Sequence, residues 1–166
     1  MKIEKTTLDG VLSITYDVFE DHRGYYSEIY NRDIFKENDI KVDFIQDDIS
    51  VSYKNVFRGI HGDRKTWKLI SCLYGSFYLV VVNNIEGHEQ YLKYQSFILS
   101  QKNRKQILVP PGFGNGHLVL SEKAIFHYKQ NTNYDRSSQF TIKWNDSRIN
   151  FWFPHTNFII SQRDEP

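Results

Sequence analysis

WKLISCLYGSFYLVVV (67–82) is the stretch that decides the fold. Most of its residues are β-branched, aromatic or leucine, types that suit a buried pleated strand. Tyr74-Gly75 interrupts the run, so it reads as two strands folded back as a hairpin. The same texture recurs on both sides. Upstream, VLSITYDVF (11–19), GYYSEIY (24–30) and FIQDDISVS (44–52) read as strands. Downstream, so do YQSFILS (94–100), KQILVP (105–110), GHLVLSEKAIFHYKQ (116–130) and the stretch near FTIKW (140–144), with a second fold-back at Ser121-Glu122-Lys123. Asn83-Asn84 and Glu86-Gly87-His88 mark loop tips. One short helix is predicted, with Asn31 capping Arg32 to Asn38 and Phe35 facing inward. Many short strands at close spacing predict an all-β sandwich or barrel. In such a barrel inward side chains alternate along each strand, and the binding site lies in the mouth.

Length and composition narrow the function. The chain has 166 residues, which fits a single domain over 1–166. Cys72 is the only cysteine, so no intrachain disulfide forms and a reducing, cytoplasmic setting is expected. The N-terminal MKIEKTTLDG lacks the apolar stretch of a signal peptide. No run approaches the ~18 apolar residues of a membrane span. The formal net charge is +1 with basic residues scattered, which argues against a nucleic-acid binder. The 12 Phe, 11 Tyr and 3 Trp suit a β-rich core first and a sugar-stacking pocket wall second.

The histidines carry the chemistry. His22, His88 and His155 fall in loops. His61 sits in FRGIHGD (57–63) between Gly59 and Gly62, glycines that let backbone or ligand approach closely. Arg58, three residues before it, points to the opposite face of a regular strand unless Gly59 bends the chain. A metal set of His61, Asp63, His117 and Glu122 is conceivable but lacks a dense ligand motif, and no metal is expected. There is no G-x-S-x-G elbow, no phosphate-binding loop and no dinucleotide fingerprint, and Cys72 reads as inert core. GFGNG (112–116) reads as a tight turn.

Several blocks, in order across nearly the whole chain, resemble the nucleotide-sugar 3,5-epimerase family. They are FEDHRGYYSEIYN (19–31), IQDDISVSYKNVFRGIHGD (45–63), KLISCLYGSFYLVVV (68–82), VPPGFGNGHLVLSEKAIFHYKQNTNY (109–134), KWND (143–146) and SQRD (161–164). The resemblance implies a cupin-type jelly-roll barrel with short peripheral helices. It also implies a cofactor-free and metal-free enzyme that acts on a nucleotide-diphosphate 4-keto sugar, and a homodimer with exchanged N-terminal strands.

It further implies roles. His61 is the base that removes the proton alpha to the ketone, and Asp164 is its paired carboxylate. Tyr128 returns a proton from the other face, and Lys68 lies near the enolate oxygen. Arg23, Glu28, Gln46 and Arg58 match nucleotide- or sugar-contacting positions, and Tyr134 a further pocket tyrosine. Asn115 stands where the family has histidine, His117 where it has phenylalanine, and Asp48 where it has asparagine. These departures bear on substrate. They are similar to a branch that handles GDP-4-keto-heptoses for bacterial capsules and includes members that invert C3 alone. The competing readings are C3-only epimerisation or 3,4-ketoisomerisation on the same fold, a metal-dependent oxygenase, and a non-catalytic sugar-binding jelly roll.

Overall fold

The computed structural model describes residues 1–165. Its elements in chain order are β1 (Lys2–Lys5), β2 (Leu12–Thr15), β3 (Phe19–Asp21), β4 (Gly24–Tyr26), α1 (Arg32–Glu37), β5 (Gln46–Tyr53), β6 (Phe57–Gly62), β7 (Lys68–Tyr74), β8 (Ser76–Asn83), β9 (Tyr94–Ser100), β10 (Lys105–Val109), β11 (Phe113–Val119), β12 (Lys123–Gln130) and β13 (Phe140–Thr141). Six strands form one sheet in the order β1-β2-β10-β7-β12-β5, and five form a second in the order β13-β6-β11-β8-β9. The two face each other as a cupin-like jelly roll. β3 and β4 make a separate hairpin.

The continuous apolar runs are explained by cover on both faces. β8 is buried along almost its whole length. Phe77, Leu79 and Val81 point into the core between the sheets with Ile70, Ile107, Val109 and Phe126. Tyr78, Val80 and Val82 point the other way, under Ile142, Ile149, Phe151, Phe153 and Phe158 of the C-terminal segment. A third cluster covers the outer face of the six-stranded sheet, where Phe35 of α1 packs with Ile40, Val42 and Leu108. α1 begins where expected, because the Asn31 side chain accepts from the backbone N–H of Asp33 at 3.0 Å and Ile34 at 3.4 Å.

Several expected elements differ. VLSITYDVF holds a strand only at Leu12–Thr15, and GYYSEIY only at Gly24–Tyr26, because Asp21-His22-Arg23-Gly24 turns the chain into the β3–β4 hairpin. No long edge therefore runs through residues 11–30, and β2 is paired on both sides, by β1 and β10. The edges of the six-stranded sheet are β1, which is charged, and β5, which turns the apolar Ile49, Val51 and Tyr53 outward. GFGNG is not a tight turn. Its last four residues open β11, which pairs with β8 from Phe113 onward. FTIKW keeps strand pairing at Phe140–Thr141 alone.

Candidate active site

The site lies between the sheets, in a cavity of about 590 Å³. β6 supplies one wall. Its pairing with β11 slips between His61↔Asn115 and Arg58↔His117, a bulge centred on Gly59. Gly59 has φ +120, and a Cβ there would stand 2.5 Å from the Gly116 Cα. The extra residue turns both Arg58 and His61 into the cavity, which a regular strand would forbid. Gly62 serves close packing too, since a Cβ would meet the Phe113 carbonyl oxygen at 2.2 Å.

The C-terminal segment runs beside β6 through the Val56–Ile159 bridge and carries Asp164 to His61. His61 Nε2 lies 2.6 Å from Asp164 Oδ1. The other carboxylate oxygen accepts from the Ser161 hydroxyl at 3.2 Å and the Gly59 N–H at 3.4 Å. Burial alone would raise the Asp164 pKa. The hydrogen bond and charge of His61, with the Gly59 and Ser161 donors, outweigh it and hold the group below the ordinary carboxylate range. An ionised Asp164 accepts from Nε2–H, which leaves the basic lone pair of His61 on Nδ1.

The six-stranded sheet supplies the facing wall. Tyr128 enters from β12, and burial, followed by the negative charge of Asp48, pushes its phenol up to about 12. The hydroxyl therefore stays protonated at neutral pH, the form that can donate. Lys68, at the start of β7, is buried and donates to Asn115 Oδ1 at 3.3 Å. Burial lowers its pKa, Arg163 adds to that, and Asp63 opposes it.

The other expected site residues divide. Arg58, Asn115, His117 and Tyr134 line the cavity. Arg58 Nε donates to Ser52 Oγ at 2.9 Å, and Tyr134 is tied down by its N–H to Gln46 Oε1 at 2.9 Å. Gln46 and Asp48 stand behind that wall: Asp48 accepts from Gln46 at 2.7 Å and from Gln130 at 3.2 Å. Arg23 lies in the exposed β3–β4 hairpin, bonded to Asp21, and Glu28 accepts from Asn31 at 3.2 Å; neither lines the cavity. Arg136, Gln139 and Arg163 do line it, with Arg163 donating to Gln139 at 3.1 Å, and sequence reading passed over all three. Arg163 was within reach, being next to Asp164 in SQRD. Arg136 had no motif to mark it.

Asp63 is occupied by the N–H groups of Lys65 at 2.8 Å and Thr66 at 2.7 Å. Among the described residues no three His, Cys, Asp or Glu side chains gather as a metal set would. Cys72 is buried in the core, which pushes its thiol up to about 11.

An imidazole hydrogen-bonded to a carboxylate on one wall faces a protonated phenol and a buried amine on the other, a set of groups that can take up and give back protons. The class this defines is an isomerase on a jelly-roll barrel. The chain matches the model of the dTDP-4-dehydrorhamnose 3,5-epimerase family over residues 5–166 and belongs to that family. It is 36% identical over 170 residues to the dTDP-4-dehydrorhamnose 3,5-epimerase of Escherichia coli K12, covering 99% of this chain and 92% of that one. The crystal structure of the Elizabethkingia anophelis enzyme of that name superposes with a TM-score of 0.89 at 38% identity, covering 99% and 93%. The Legionella pneumophila 3,5-epimerase, solved in complex with dTDP-4-keto-L-rhamnose, gives a TM-score of 0.94 at 31% identity, covering 98% and 89%.

Proposed function

We propose that this chain inverts the carbons flanking the C4 ketone of a nucleotide-diphosphate 4-keto sugar, at both C3 and C5, with no metal or cofactor. The observation that carries this reading is the His61–Asp164 pair at 2.6 Å on one wall, with Tyr128 on the other and Lys68 beside it reaching across to Asn115. His61 Nδ1 removes the proton from the carbon next to the ketone. The C–H electron pair moves into the ring and onto O4, giving an enolate. Lys68 donates to that oxygen as charge builds. Tyr128 then delivers its hydroxyl proton to the opposite face of the same carbon and restores the ketone. The phenolate regains a proton from solvent, and His61 releases the one it took.

A dTDP-linked 4-keto-6-deoxyhexose is the substrate class that the family favours. The polar floor at Asn115 and His117 favours a second reading, a GDP-linked 4-keto-heptose for capsule or surface polysaccharide synthesis in the cytoplasm. A homodimer fits the outward Ile49, Val51 and Tyr53 of edge strand β5 and the exposed Phe19, Tyr25 and Tyr26 of the hairpin. It would also give Arg23 and Glu28 a site to serve, in the partner subunit's cavity. Light scattering should give twice the chain mass at micromolar protein; a monomer would remove that part.

Each keto sugar incubated with the protein in D₂O and followed by proton NMR tests the reaction. Loss of both the H3 and H5 signals with inversion is expected. Loss of H3 alone would make the chain a C3 epimerase, and exchange with neither sugar would overturn the reading.

A further inference from the structure

His117 has no part in the proton transfers above, yet it is buried in the site. It sits on β11 opposite Arg58 of β6 and is 3% exposed. It lines the cavity one pairing step along from Asn115 and His61. Its ring lies flat on Phe126, with centroids 4.1 Å apart and planes 11° from parallel, and tilts against Phe77 at 5.2 Å. Those contacts fix the imidazole between apolar surfaces. Its Nε2 is sealed off and has no hydrogen-bond partner among the described residues, while Nδ1, also without a partner there, is the nitrogen left open to the cavity. Burial, helped by the nearby Arg58 charge, lowers the pKa of this histidine to about 3, so the ring is neutral. A phenyl ring would fill the same slot without bringing a polar nitrogen to the cavity wall, so the open Nδ1 points to a group brought in by the ligand.

We infer that His117 is a specificity-determining residue whose imidazole hydrogen-bonds a hydroxyl of the bound sugar, so that a substrate with a hydroxyl at that point is chosen over one with hydrogen or methyl. This rests on the nucleotide-sugar reading above. The chemistry of the ring selects the ligand group. A neutral imidazole has one donor and one acceptor, and a hydroxyl can complement either. A methyl complements neither, and a phosphate dianion would call for a cation. Sites built around such a bond discriminate steeply, because the analogue lacking the hydroxyl leaves the buried partner unpaired.

The hydroxyl is either on the sugar ring or on its exocyclic carbons, and the test separates the two. His117→Phe and His117→Gln are compared with the unaltered chain on dTDP-4-keto-6-deoxyglucose and on a 4-keto sugar with an exocyclic hydroxyl at C6. His117→Phe should raise KM by about tenfold or more, with little change in kcat and no fall in melting temperature. His117→Gln, which keeps a donor and an acceptor, should recover part of that loss. A penalty on both sugars places the bond at a ring hydroxyl. A penalty confined to the second places it on the exocyclic carbons. Unchanged KM on both sugars, or a fall in kcat that tracks a fall in melting temperature, would overturn the inference. Binding is read apart from turnover by the ring ¹⁵N signals of His117. They should shift with saturating dTDP-glucose and stay put with dTDP, and no shift with dTDP-glucose would sink the inference. Failure of the unaltered chain to exchange either sugar would instead count against the epimerase reading.

Discussion

Asp164→Asn isolates what the carboxylate does for His61. The native pair is short, 2.6 Å, and the second oxygen is held by Ser161 and the Gly59 N–H. Those two donors fix the orientation of the new amide. Its oxygen takes their side, so its NH₂ faces His61. Nε2 must then accept rather than donate, the proton moves to Nδ1, and the lone pair leaves the position facing the substrate. The imidazolium formed during proton removal also loses its counter-charge. A hydrogen bond to a charged group contributes about 1.5–3 kcal/mol. At about 1.4 kcal/mol per tenfold in rate, that is a loss of roughly ten- to a hundred-fold in kcat. The substitution is isosteric, so KM should move little. The assay is the initial rate of deuterium incorporation at C3 and C5, with the melting temperature measured alongside. Exchange at the native rate in a folded Asp164→Asn protein would refute the orienting role. A loss confined to one carbon would show that the dyad serves only one proton.

Other outcomes follow from the same geometry. Gly59→Ala forces a side chain into a φ of +120 with the Gly116 Cα 2.5 Å away, so it should destabilise the protein by about 3 kcal/mol, read by urea unfolding. It should also lower kcat, because the bulge is what turns His61 into the cavity. The depressed pKa of Asp164 makes its stabilising contribution complete above the unfolded carboxylate value of about 3.9, and lost as pH falls through the lower folded value. Melting temperature should therefore drop less steeply below about pH 4 in Asp164→Asn than in the native chain; equal slopes would contradict this.

The turns at Gly75 and Ser121–Lys123 were legible because each puts turn residues between apolar runs, but neither closes the hairpin expected there: β7 and β12 belong to one sheet and β8 and β11 to the other, so each turn carries the chain across the sandwich. α1 was legible because Asn31 can satisfy two N–H groups from outside the helix. β1 escaped notice because Lys2–Lys5 is charged and mostly exposed, with strand pairing but little burial to mark it. The start of β11 escaped because GFGNG read as a turn, and β6 because its two glycines break the apolar run that marks a strand. Gly59, Gly62 and Gly116 are there instead because the two strands and Phe140 crowd together. In the site, local pattern reached only His61. Lys68, Tyr128 and Asp164 came from the family resemblance, since nothing in a single strand shows that residues about a hundred apart in sequence meet in one cavity. Arg136 and Arg163 depend on how the C-terminal segment folds back, which no periodicity encodes.

The most direct test is deuterium incorporation resolved by carbon, with product stereochemistry read separately, in His61→Asn and Tyr128→Phe. If His61 is the base for both carbons, His61→Asn stops exchange at C3 and C5 together. If Tyr128 is the acid on the opposite face, Tyr128→Phe keeps exchange driven by His61 and loses net inversion, at C5 alone if water can reprotonate C3. Full exchange and inversion in His61→Asn would contradict the central claim, and equal loss of exchange in both variants would contradict the division between two faces.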